Sequence, residues 1–175
     1  MGFGRIRSQK KRRVQQMATR SIIAVSSTVS KKIESIYCHW DGYPKGVGVM
    51  LARSYPDIIN AQELMQNGDA SSLGFTIGTS KFYKDIKDGE FPSIPYDSVE
   101  NMLDVYLSDK SGIEFVYLHF GGMWFVGAQY EDLSVDQENV KLLPIKFGLH
   151  KLYSLSDVLY GKGSKPIKRI EELME

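Results

Sequence analysis

The stretch "IEFVYLHFGGMWFVGAQY", residues 113–130, decides the fold. Two runs of aromatic and β-branched side chains flank Gly121-Gly122, a two-residue turn signal as strong as Asn-Gly for a tight hairpin. Both faces of the runs are largely apolar. That predicts a central place in a sheet, with something covering each side.

Working outward toward the amino terminus, "SIIAVSS" (21–27) and "IESIYCHW" (33–40) are again rich in strand formers. The polar stretch Thr28 to Lys32 between them predicts a second hairpin. Asp41-Gly42 breaks its second strand, and Pro44 prevents it from continuing. Val47, Met50 and Leu51 then recur at helical spacing, predicting a short helix to about Arg53. Pro56 suits the start of a second helix, which Asn67-Gly68 stops. Residues 69–96 hold Gly, Pro and Asp at short intervals and read as loop. A third helix follows, capped by Asp97 with Glu100 three residues on, striped by Val99, Met102, Leu103 and Tyr106, and ended by Gly112. "SLSDVLYG" (154–161) predicts a brief helix with Ser154 as its cap. The order ββ-α-α-α-ββ-α predicts an α+β domain: a mainly antiparallel sheet built from two hairpins, with helices packed on one side.

At 175 residues, with 42% hydrophobic and 25% charged side chains, the chain matches one ordinary globular domain. No apolar run approaches the roughly 20 residues that span a bilayer, so no membrane association is expected. No secretory signal is evident, and the single cysteine, Cys38, leaves no internal disulfide, so a cytoplasmic protein is the simplest reading. The net charge of +1 hides a division. Residues 1–16 hold six basic side chains (Arg5, Arg7, Lys10, Lys11, Arg12, Arg13) and no acid, leaving 16 basic against 21 acidic residues elsewhere. Three regions follow: a basic arm (1–16), one domain (17–160), and a linker with a short terminal helix (161–175). In that helix Ile167, Ile170 and Met174 are partly aligned, a face able to dock on its own body or on a second copy.

The segment "YCHWDGYPKGVG" (37–48) gathers the most chemistry-bearing residue types. Alternation along a strand puts Tyr37 and His39 on one face, and Cys38 and Trp40 on the other, toward the core. His39, Asp41 and Tyr43 then lie at the strand's end, beside a helix start at Lys45–Gly48. Helix starts present free N–H groups and partial positive charge, to which Lys45 adds a full one. Amides near Gly46 and Gly48 with Lys45 would hold an anionic or nucleotide-like group, His39 and Tyr43 would shape the pocket, and Arg20 would stand nearby across the hairpin. The alternative is a plain turn in which Asp41 bonds backbone amides and the glycines allow close packing.

Other chemistries are less well supported. Cys38 and His39 are strand neighbours on opposite faces and cannot form a nucleophile–base pair. His39 and Asp41 could serve as an acid/base pair in a small hydrolase or transferase, but no second carboxylate or nucleophile accompanies them. Cys38, His39, His119 and His150 lack zinc-site spacing, so no metal is expected, and His119 reads as a packed histidine with one hydrogen bond. "GVGVML" lacks the third glycine of a dinucleotide loop and "GKGS" lacks the upstream glycine of a phosphate loop, so no cofactor is expected. The arm "RIRSQKKRR" can neutralise nucleic-acid phosphates without reading sequence. It reads equally as a solubilising tail, or as an extension upstream of a start at Met17.

"MATRSIIAV" from Met17, "IYCHWDGYPKGVG" (36–48), "GDASSLG" (68–74) and the paired "VYLHF…MWFV" resemble a group of small uncharacterised proteins of tailed bacteriophages and prophages. Its members begin M-x-T-R-S, carry I-Y-C-H-[WF]-D-G-Y-P and keep a G-D-x-S-S-L-G turn. The resemblance spans roughly residues 17–130 and leaves out the basic extension and the tail beyond 145. It implies a phage setting, hence host cytoplasm, and an accessory role of host-takeover or anti-defence type; it implies no catalytic residue. Together these readings predict a protein that binds an anionic small molecule or a host protein at 39–48. The runner-up is a nucleic-acid binder acting through residues 5–13.

Overall fold

The computed structural model describes residues 18–27 and 31–164. The basic arm with Arg5, Arg7, Lys10, Lys11, Arg12 and Arg13, and the segment 165–175, lie outside the described residues.

Strands β6 (Phe115–Phe120) and β7 (Met123–Ala128) form the expected hairpin, in register from Phe115↔Ala128 to Phe120↔Met123. Gly121 and Gly122 both take positive φ, 59° and 84°, the backbone a two-residue turn needs to match strand twist. Strand β1 (Ser21–Ser26) runs parallel to β6 and antiparallel to β2 (Ile33–Cys38), the second expected hairpin. The two hairpins therefore join through their inner strands into one sheet.

That sheet is larger than the sequence predicts. Strands β3 (Ala70–Ser72), β4 (Lys81–Phe82), β5 (Ile94–Tyr96), β8 (Ile145–Phe147) and β9 (His150–Ser154) give nine strands, in the order β4-β3-β2-β1-β6-β7-β9-β8 with β5 also on β2. Three of them fall in 69–96, read from sequence as loop. At two or three residues each they are too short to show alternation, and Pro95 marks β5 as an edge strand. Six of the eight pairings are antiparallel, while β1·β6 and β2·β3 are parallel, so the sheet is mixed.

Helices cover both faces, not one. On one side Ile23, Val25, Ile36, Cys38, Phe115 and Tyr117 pack with α1 (Val49–Ser54), α2 (Ile58–Asn67) and α5 (Leu155–Tyr160). On the other, Ile22, Ala24, Ile33, Val116 and Leu118 pack with Val99, Met102 and Leu103 of α4 (Val99–Tyr106). The reason is written in β1, where Ile22, Ile23, Ala24 and Val25 are consecutive and all buried. A one-turn helix, α3 (Tyr83–Ile86), lies in the segment between β4 and β5. The cap of α4 is Ser98, whose side chain accepts the Asn101 N–H at 3.0 Å, one residue beyond Asp97. The helix ends at Tyr106, well before Gly112. Ser154 caps α5 as expected. Among the described residues no helix is long and apolar enough to cross a membrane.

Candidate functional site

The end of β2 holds the residues singled out from sequence. Tyr37 and His39 do share a face: the Tyr37 hydroxyl lies 2.7 Å from His39 Nδ1. Cys38 points the other way into the core, where burial pushes its thiol up to about 12 and leaves it protonated and inert as a nucleophile. Trp40 does not follow Cys38 inward. The strand ends at Cys38, the amides of His39 and Trp40 bond the carbonyls of Ala70 and Ser71, and Asp41 takes a left-handed φ of 57°. This reversal breaks the alternation, and the indole stands 41% exposed, edge-on to the His39 ring at 4.7 Å.

The turn that follows is closed by the chain's own oxygens. Residues Pro44–Gly48 form one π turn running into α1. Gly46 N–H donates to the Tyr43 carbonyl at 2.9 Å and Val47 N–H to the Asp41 carbonyl at 2.8 Å. The buried Tyr117 hydroxyl donates to the Gly42 carbonyl at 2.7 Å. The Gly46 and Val47 donors thus serve the turn, and Pro44 has none to offer. Gly46 is needed for contact instead, since a Cβ there would come within 2.2 Å of the Asp41 carbonyl oxygen. Lys45 and Tyr43 are exposed, with the Tyr43 hydroxyl donating to Asp41 Oδ1 at 3.3 Å.

The His39–Asp41 acid/base pair is not assembled, because the imidazole bonds Tyr37 while Asp41 bonds Tyr43. His119 is a packed histidine, its Nε2–H donating to the Pro56 carbonyl at 3.1 Å, and burial lowers its pKa. His150 bonds Asp104 at 2.6 Å, and among the described residues no cluster of three candidate ligands could hold a metal.

Arg20 is where the sequence reading and the structure meet. Its guanidinium stands beside the Tyr37 hydroxyl and lies against Gly112. Burial raises the Tyr37 pKa, with the Arg20 charge pulling the other way.

Tyr37 lines a cleft of about 490 Å³ between β2, β5 and the segment after α4, with Arg20 and His39 standing against its hydroxyl. Ile22, Ile94 and Ile113 give it apolar surface, Lys110 and Ser111 lie along its rim, and Tyr106, Ser35 and Asp69 supply polar groups. Tyr106 is held in place by a T-shaped contact with Tyr96 and by bonds to the Tyr96 and Ser35 hydroxyls at 3.0 and 3.2 Å. Sequence reasoning named Arg20 and His39 but missed Tyr37, Asp69 and Tyr106. Asp69 lay in a stretch read as loop and Tyr106 in a core stripe. Only the alternation placing Tyr37 beside His39 pointed to this face.

No family model matches the chain, and the searches of curated proteins and of solved structures return no match to it either.

Proposed function

We propose that the protein is a small binding protein that captures an anionic, ring-bearing molecule of nucleotide type in the β2–β5–α4 cleft. The carrying observation is that Lys110, Tyr37 and Tyr106 line one apolar-floored cleft whose volume suits a small ligand, with Arg20 standing against Tyr37 beside it. The cations offer charge-assisted hydrogen bonds to a phosphate, and the tyrosines offer ring surface for a base. The sequence resemblance of residues 17–130 supports a phage accessory setting for this binding. Calorimetric titration with adenosine and guanosine 5′-monophosphates tests the reading. Arg20→Ala and Lys110→Ala are each expected to weaken binding about tenfold or more, the loss of one charge-assisted bond. A chain lacking residues 1–16 is expected to bind unchanged. Equal affinity in the two alanine variants and the parent refutes the reading.

A second reading rests on a different observation. Trp40 and Tyr43 are each 41% exposed on one loop beside Lys45, a combination enriched at protein interfaces. Here the occupant is a host protein, and Trp40→Ala with Tyr43→Ala is expected to abolish its capture while leaving nucleotide affinity intact.

A further inference from the structure

Resting on the cleft reading above, we infer that Asp69 sets the specificity of the cleft by reading the donor edge of a guanine-type base. Asp69 follows Gly68, whose φ of 77° and tight approach to the Phe91 carbonyl fix the chain there. Its own N–H donates to the Phe91 carbonyl at 2.9 Å and its carbonyl accepts the Tyr83 N–H at 3.0 Å. The backbone is thus held on both sides, and the side chain has one committed bond, Oδ1 accepting the Tyr37 N–H at 2.8 Å. Among the described residues no cation acts on this half-buried carboxylate, whose surroundings are burial and the Tyr37 amide.

A carboxylate taken partly out of water without a cationic partner is costly unless something donates to it. Burial accordingly raises the Asp69 pKa, the Tyr37 amide pulling the other way. The two oxygens have about four acceptor sites, of which the Tyr37 amide takes one. The placement of the charges narrows what can complete it. Asp69 stands at the backbone end of Tyr37, and Arg20 at its phenol end, with Lys110 on the rim. A molecule lying along Tyr37 therefore needs N–H donors at one end and negative charge at the other. Guanosine monophosphate has both: adjacent ring and exocyclic N–H groups matching a carboxylate, and a phosphate for the cations. Inosine monophosphate lacks the exocyclic amine, and adenosine monophosphate presents a ring acceptor where guanine donates.

Calorimetry on the full chain with these three nucleotides tests the inference. Guanosine monophosphate is expected to bind at least about tenfold more tightly than the other two, since a site built around a donor pair penalises a ligand lacking one. Asp69→Asn, which keeps an acceptor for the Tyr37 amide, is expected to weaken guanosine monophosphate by about tenfold or more and to abolish its preference over inosine and adenosine monophosphates. Equal binding of all three nucleotides by the parent chain, or an unaltered preference in Asp69→Asn, overturns the role of Asp69 while the cleft reading stands. Absence of binding by all three overturns both. If Asp69→Asn fails to give a native melting transition, the three-ligand comparison on the parent chain alone decides.

Discussion

Tyr117 explains why the loop after β2 takes the shape it does. It sits at the middle of the central hairpin, fully buried, yet its hydroxyl donates to the Gly42 carbonyl. One phenol thus fastens the start of the 41–48 turn to the core. Tyr117→Phe leaves that buried carbonyl unpaired and is expected to cost about 1–3 kcal/mol by chemical denaturation. Its effect on nucleotide affinity is expected to be small, because the cleft lies on the opposite face of the sheet. His119 gives the matching pH dependence. Its folded pKa is lowered by burial below the usual 6.5, so the unfolded chain binds the proton more readily. The contribution is fully present above 6.5 and is lost as pH falls below it, which denaturation midpoints at pH 7.5 and pH 5.5 will show. His119→Gln is expected to flatten that difference. At this scale the sequence was legible where alternation held: Tyr37 with His39, Cys38 inward, His119 packed. It failed at Trp40, since the strand already ends at Cys38, two residues short of where the alternation was carried, and a left-handed Asp41 then reverses the chain.

The elements that were easy to read are long or carry strong turn chemistry. Gly121-Gly122, the Asn67-Gly68 stop and the Ser154 cap all act through a few adjacent residues, and all stand as expected. Strands β3, β4 and β5 take their existence from tertiary pairing with β2 and with each other, so their own residues carry little signal. The same holds for the segment after β7, where Asp136 organises two elements at once. Its Oδ1 accepts the Glu138 and Val140 amides and its Oδ2 the Lys162 amide, each at 2.9 Å, tying the 135–141 loop to the end of α5. The Lys162 amide is the foremost of the donors holding this carboxyl below the usual carboxylate range. The tie is therefore complete above that range and is lost as pH falls through the depressed value. Asp136→Asn replaces one acceptor by a donor and is expected to speed amide hydrogen exchange at Val140 and Lys162 at neutral pH. Exchange rates equal to the parent's would show that the loop holds itself.

At the scale of the whole molecule, the central hairpins make a sheet whose two faces do different things. One face is closed by α1, α2 and α5 and forms the larger core; the other carries α4 over only part of its width, and the uncovered part is the cleft. The sequence singled out the end of β2 but offered no means of seeing that carbonyls of the turn itself would take the Gly46 and Val47 amides. The most direct measurement is a two-dimensional amide NMR titration of the full chain with guanosine monophosphate. Binding in the cleft predicts saturable shifts at Ser35, Tyr37, Asp69, Ser111 and Ile113, with Gly46 and Gly48 unmoved. Shifts confined to residues 39–48, or a spectrum that does not change, would contradict it.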